Sequence, residues 1–371
     1  MMRRPSGHSM LVLGCLLTAG CDAAGPSPEP VFDNLLDEVH YLIESRFTSG
    51  GVAVGIIDHG DETTIFHGTR SSDTSAPPDE NTVYEMGSVT KVFTGTLLAD
   101  AVLADSVGLH DAIQDHMPAD SVTVPTYAGT EISLWHLVTH TSALPRNFSD
   151  AYPLPAGTPD YDPFALITGA DIYDYLSHYV TLAYRPGTQY AYSNFGAGLL
   201  GFILGRIQGT TYASLLETTI LDVLGMDRTS VHLTADQMTN LAVGYDEHGN
   251  EAAPWSSDHA LVGCGGLKST LKDMMVFLKA NLGLVSTSLG ETLALAQQPQ
   301  FGDYVCFCWF LKELDDGQIV TQHGGAAAGH ITYIAFNRNT ATGVVILYNR
   351  SGNLLPIEVG DRILLAAEKY R

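Results

Sequence analysis

Strand-like runs sit at the two ends of this 371-residue chain and are nearly missing from its middle. Near the N-terminus, residues 51–58 and 63–68 are rich in Val, Ile and Thr and are joined through His59-Gly60-Asp61, the pattern of a hairpin. A third short run covers Val83 to Met86. From Val305 onward the pattern returns, at 305–311, 318–322, 331–337 and 343–349. Helices bracket these runs. Between Phe32 and Phe47 the residues Leu35, Leu36, Val39, Leu42 and Ile43 form one stripe, and 354–369 reads as an amphipathic helix. From about 100 to 290 the chain reads as helices and long loops. The clearest helices are at 195–208 and 212–224, and a loop with four prolines lies at 153–163. Such an arrangement predicts an α+β fold. One antiparallel sheet is assembled from both chain ends and flanked by the terminal helices, and the middle forms an inserted all-helical lobe. A ligand cleft is expected where sheet and lobe meet.

Acidic residues outnumber basic ones 41 to 18, for a net charge of −23. A surface so negative repels nucleic acid and anionic membranes and favours solubility. The only charges in the first twenty residues are Arg3 and Arg4. An apolar run from Met10 to Ala19 follows them, too short to span a bilayer and suited to a secretory signal at 1–20. Leu17-Thr18-Ala19-Gly20-Cys21 resembles a bacterial lipobox, which makes Cys21 a candidate lipidation site. Residues 21–31, with Pro26, Pro28 and Pro30, would then be an extended tether to a domain at 32–371. Cleavage near Ala23-Ala24 is the alternative and would release a soluble secreted protein. Either way the expected location is the cell envelope or beyond, with membrane contact only through the lipid anchor. That compartment permits disulfides. Cys306 and Cys308 share one face of the expected strand and are poorly placed to bond each other. Cys264 is left either to bridge one of them or to be, like them, a small buried apolar residue. No histidine stands at ligand spacing to these cysteines, so no metal or other cofactor is expected. Asn147-Phe148-Ser149 matches a glycosylation sequon, which a bacterial-type lipobox makes a chance occurrence.

Three short motifs carry the chemistry. In Ser88-Val89-Thr90-Lys91, ahead of an apolar helix, a serine and a lysine three apart share one face of the first turn. The hydroxyl then sits at the positive end of a helix with an ammonium beside it, a route to a nucleophilic serine without histidine. Tyr192-Ser193-Asn194 and His323-Gly324-Gly325 follow in that order. Together they resemble the motifs of the penicillin-recognising serine hydrolases, a superfamily of class C β-lactamases, DD-peptidases and β-lactamase-like esterases. Tyr-Ser-Asn points to the class C-like branch. His-Gly-Gly, where a lysine motif is usual, points away from a typical β-lactamase. Further likenesses are Leu134 to Ser142, Leu224 to Thr229 and Gly265 to Thr270.

The resemblance implies roles. Ser88 would be the nucleophile, with Lys91 and Tyr192 as a coupled proton-transfer pair. A free phenol has a pKa near 10, so cations must favour the phenolate if Tyr192 is the base. Asn194 would hydrogen-bond Lys91 and the substrate amide, and cap its helix. His323 would donate toward Tyr192 or a substrate carboxylate, with a charge that depends on pH. Gly324 and Gly325 would let a substrate strand approach, and the amides of Ser88 and Ala326 would form an oxyanion hole. His136 and His140 are read as structural, and His330 is given no role although it lies near enough in sequence to reach the cleft. The expected substrate is a small molecule or peptide. A DD-carboxypeptidase or related D-amino-acid peptidase comes first, then an esterase, then a β-lactamase. A protein of another class, binding wall peptides without catalysis, is disfavoured by the intact Ser88, Lys91 and Tyr192.

Overall fold

The computed structural model describes residues 30–150 and 152–371. The expected signal segment, Cys21 and most of the tether lie outside the described residues. The body of the chain begins with α1 (Leu35–Arg46), whose N-cap Asn34 accepts a hydrogen bond from Asp37 N. A hairpin of β1 (Gly51–Asp58) and β2 (Asp61–Gly68) follows, then β3 (Val83–Glu85) and α2 (Thr90–Leu103). The middle holds α3 (Leu134–Val138), α4 (Gly169–His178), α5 (Asn194–Ile207), α6 (Tyr212–Leu216), α7 (Asp222–Leu224) and α8 (Ala235–Thr239). Two small strands, β4 (Gly244–Tyr245) and β5 (Glu251–Ala252), pair with each other, and β6 (Lys268–Thr270) pairs with β3. Then come α9 (Leu271–Leu282), α10 (Gly290–Ala296), β7 (Phe310–Glu313), β8 (Ile319–Ala327), β9 (His330–Asn337), β10 (Thr342–Tyr348) and α11 (Leu355–Lys369).

Six of these strands form one antiparallel sheet in the order β2-β1-β10-β9-β8-β7. Both chain ends build it, as the sequence pattern predicts, because β1 pairs with β10 across nearly the whole chain. Side chains alternate between its faces. Val52, Val54, Ile56, Val344 and Ile346 pack against α1 and α11. Ala53, Ile57, Val345 and Leu347 belong to the larger core shared with α2, α5 and α9. Covered on both faces, the central strands β9 and β10 are buried along their whole length and are mostly apolar. Each large side chain so buried contributes about 1.5–3 kcal/mol of transfer free energy. One helix of the 100–290 span, α9, lies on the sheet, where Met275 fills the space left by Gly55.

The 100–290 span is not the all-helical lobe expected, since it holds β4, β5 and β6, the last paired with β3 from outside the span. Two further elements depart from the sequence expectation. Regular pairing in the 305–311 run begins only at Phe310. Residues 305–309 instead fold into a tight turn: Cys308 adopts φ 60°, and its N–H donates to Cys306 O at 2.9 Å. Tertiary contacts override strand propensity here, since Phe307 N donates to Ala296 O and Cys308 N to Val138 O. The second departure is in 212–224, where a π-helical turn at Glu217–Leu221 separates α6 from α7.

Cys264, Cys306 and Cys308 are all buried and free, so the bridge from Cys264 is not formed. Cys306 Sγ and Cys308 Sγ lie 3.2 Å from Gln297 O and 3.5 Å from Val138 O. Burial pushes both thiols up to about 12 and that of Cys264 up as well. They are inert apolar residues.

Candidate active site

The chain leaves β3, turns through Met86 and Gly87 and enters a 3-10 turn at Gly87–Val89 that runs into α2. Ser88 stands in that turn, half-buried. Lys91, three residues on, is fully buried, and its ammonium donates to Ser88 Oγ at 3.0 Å and to Cys264 O at 2.6 Å. Its neighbours on α2 bind the same passing segment: Thr90 Oγ1 accepts from Leu267 N, and Thr94 Oγ1 donates to Gly263 O. Three polar side chains in the first turns of α2 thus clamp residues 263–267, and the clamp fixes the lysine on the serine.

Tyr192 precedes α5. That helix is capped by Ser193, whose Oγ accepts from Gly196 N and donates to Pro145 O. Asn194 therefore lies inside the first turn rather than at the cap. Its amide donates to Asn147 Oδ1 at 2.8 Å and not to Lys91, against expectation, because the lysine's hydrogen bonds go to Ser88 and Cys264. The Tyr192 ring carries two cations: Lys91 Nζ and the Arg146 guanidinium carbon each lie 5.1 Å from its centroid. The buried ring of His140 packs at 4.5 Å. His140 Nδ1 accepts from Ser193 N, its backbone holds Ala191, and burial keeps the imidazole neutral. This is the structural role expected of it. His136 likewise completes the capping box of α3.

His323 lies in β8, and there the expectation of a titrating cation fails. The ring is 3% exposed. Burial, and then the positive charge of Lys91, push its pKa down to about 3 against a hydrogen bond to Gly324 O. The imidazole is neutral at physiological pH. With Nδ1–H donating to Gly324 O at 2.7 Å, Nε2 is left as a buried acceptor with no partner. Gly325 answers a close approach, since a Cβ there would overlap the Met86 carbonyl and Thr332 Oγ1. Gly87 has φ 49° and packs directly on the Ala326 backbone, which brings exposed Ala326 beside the Ser88 turn. β7 pairs with β8 only as far as Gln322. From His323 to Ala326 that edge of β8 has no strand partner among the described residues.

Ser88, Asn194 and Ala326 are shared by two recesses. One is a small, partly open pocket with Phe164, Trp255, His259, Glu85 and Lys268 in its walls. The other is an open groove along β8 with Arg146, Tyr190, Tyr192, Phe310, Gln322 and His323. His330 stays out of both. It lies buried with Nδ1 3.4 Å from Glu85 Oε2. Sequence reading missed Asn147, which it took for a chance sequon, and Arg146, which no motif marks. A polar pair after the conspicuous Leu134–Ser142 segment was the available signal. Among the described residues, no three His, Cys, Asp or Glu side chains gather as a metal ion would require.

With this geometry in place, comparison with known proteins is direct. The Beta-lactamase family model matches residues 42–368. The AmpH protein of Escherichia coli K12, named a D-alanyl-D-alanine carboxypeptidase/endopeptidase, is 30% identical over 94% of this chain and 92% of its own. A β-lactamase of Pseudomonas fluorescens is 30% identical over 62% of this chain and 60% of its own. Among solved structures, a β-lactamase/D-alanine carboxypeptidase from Yersinia pestis superposes with TM-score 0.77 at 25% identity, covering 91% of this chain and 98% of that one. The chain belongs to the beta-lactamase family of serine hydrolases.

Proposed function

We propose that this protein is a DD-carboxypeptidase-like or related D-amino-acid peptidase of the cell envelope, working through an acyl-enzyme on Ser88. The observation that carries the reading is the placement of the Ser88–Lys91–Tyr192 group against an unpaired edge of β8, where an extended peptide can dock by main-chain hydrogen bonds. The relative named as a carboxypeptidase/endopeptidase, aligned over nearly all of both chains, supports it.

In this reading Ser88 Oγ attacks the scissile carbonyl as its proton passes to the Lys91–Tyr192 pair. The amides of Ser88 and Ala326 stabilise the oxyanion, a contribution of about 3 kcal/mol per donor. The tetrahedral intermediate collapses to the ester of Ser88, and the pair returns the proton to the leaving amine. Water then enters, activated by the same pair, and frees the serine. Asn194, held by Asn147, presents its remaining amide capacity to the substrate. A neutral His323 accepts a hydrogen bond rather than binding an anion. That one observation favours a second reading, an esterase for uncharged substrates.

Mixing the full-length protein with a penicillin and following intact mass tests the proposal. A persistent adduct, absent in Ser88→Ala, is expected. Rapid turnover of the drug would make the protein a β-lactamase. No adduct and no hydrolysis would leave the esterase, and failure of simple esters as well would leave a non-catalytic binder.

A further inference from the structure

We propose that Arg146 is the carboxylate anchor of the groove, selecting substrates whose leaving group carries a negative charge. The inference rests on the reading that the leaving group departs beside Tyr192.

Among the described residues, Arg146 is the only charged side chain lining the groove along β8. It is exposed, and among the described residues no carboxylate pairs with its guanidinium. In a chain with 41 acids and 18 bases, a cation left without an acid beside a reactive serine stands out. The other nearby cation, Lys91, is fully buried, with its ammonium on Ser88 and Cys264. His323, at the position where the family's usual motif has a lysine, is neutral and offers a lone pair instead of a proton. The groove's capacity for an anion is therefore concentrated in Arg146.

Position supports the same assignment. The Arg146 guanidinium carbon lies 5.1 Å from the Tyr192 ring centroid, and such stacking holds the planar fork in place. Its backbone is fixed as well, since Arg146 O accepts from the N–H groups of both Asn194 and Phe195 at the start of α5. Tyr192 is where the leaving nitrogen collects its proton. In a C-terminal residue that nitrogen and the free carboxylate are borne by the same α-carbon, so the carboxylate falls within reach of a group stacked on the tyrosine. A guanidinium pairs with a carboxylate through two parallel hydrogen bonds. The pocket that shares Ser88 with this groove, with Glu85 and Lys268 both present, has no such one-signed character.

The test uses two substrate pairs with the full-length protein. The first is an acylated D-Ala-D-Ala peptide and its C-terminal amide. The second is an acylglycyl ester of 3-hydroxybenzoate and the matching phenyl ester. The wild type is expected to prefer the carboxylate member of each pair. In Arg146→Gln the ratio of kcat/KM between members collapses about tenfold, through KM rather than kcat, and Arg146→Lys retains part of it. An unchanged ratio, or equal losses on both members, overturns the assignment. If neither peptide is cleaved, the peptidase reading fails alone, because the ester pair still decides the role of Arg146.

Discussion

Lys91 shows how function opposes stability at a single residue. It is wholly buried, yet both of its hydrogen-bond acceptors, Ser88 Oγ and Cys264 O, are neutral. A buried charge without a counter-charge is costly, and active sites are where such costs are tolerated. Lys91→Met should therefore slow acylation at least about a thousandfold. Urea unfolding should at the same time show stability unchanged or raised by about 1 kcal/mol. A clear loss of stability would mean that the clamp on residues 263–267 needs the ammonium. His323 gives a prediction of opposite kind. Its pKa is about 3 when folded and near 6.5 when unfolded. Below pH 6.5 the unfolded chain takes up a proton that the folded ring refuses. Stability attached to this residue thus falls as pH drops from about 6.5 toward 3. At pH 5.5 the loss is on the order of 1 kcal/mol. Comparing urea midpoints at pH 7.5 and 5.5, the drop should shrink in His323→Gln, and an equal drop in both proteins would contradict the burial argument. Ser88, Lys91 and Tyr192 were legible because spacing and order mark them. Arg146 and Asn147 were not, since their value comes only from what α5 brings against them.

At the scale of elements, the sheet was readable because a strand repeats every two residues and hydrophobic runs mark it. The turn at 305–309 was not, because its partners, Val138 and Ala296, are remote in sequence and defeat a locally strand-like composition. The capping of α5 shows the same limit on a smaller scale: Ser193 rather than Asn194 closes the helix, and both residue types are good caps. Gly325 joins two elements, β8 and the Ser88 turn. Gly325→Ala must push the strand off the Met86 carbonyl or displace Thr332. The expected result is at least a tenfold fall in kcat/KM, with about 1–3 kcal/mol lost in stability as for other overpacking changes. Full activity in that variant would show that the approach of strand and turn is not needed.

The whole molecule holds together without covalent cross-links among the described cysteines. Its melting temperature should not change in reducing agent, and Cys264, Cys306 and Cys308 should react with a maleimide only after denaturation, as read by mass. Melting in dithiothreitol several degrees lower would contradict the free thiols. Four histidines, the buried His140 and His323 and the half-buried His136 and His259, are kept neutral by desolvation, so the acid weakness argued for one residue is multiplied across the fold. The unpaired stretch of β8 has a consequence of its own. Bare sheet edges invite other chains to add strands and polymerise. Here the bare stretch runs only from His323 to Ala326 and is walled by the serine turn and the Tyr192 ring, so it accepts a guest one chain wide and offers a second sheet no foothold. What would be a hazard elsewhere becomes a filter, one that favours a slender unbranched end over a folded or cross-linked one.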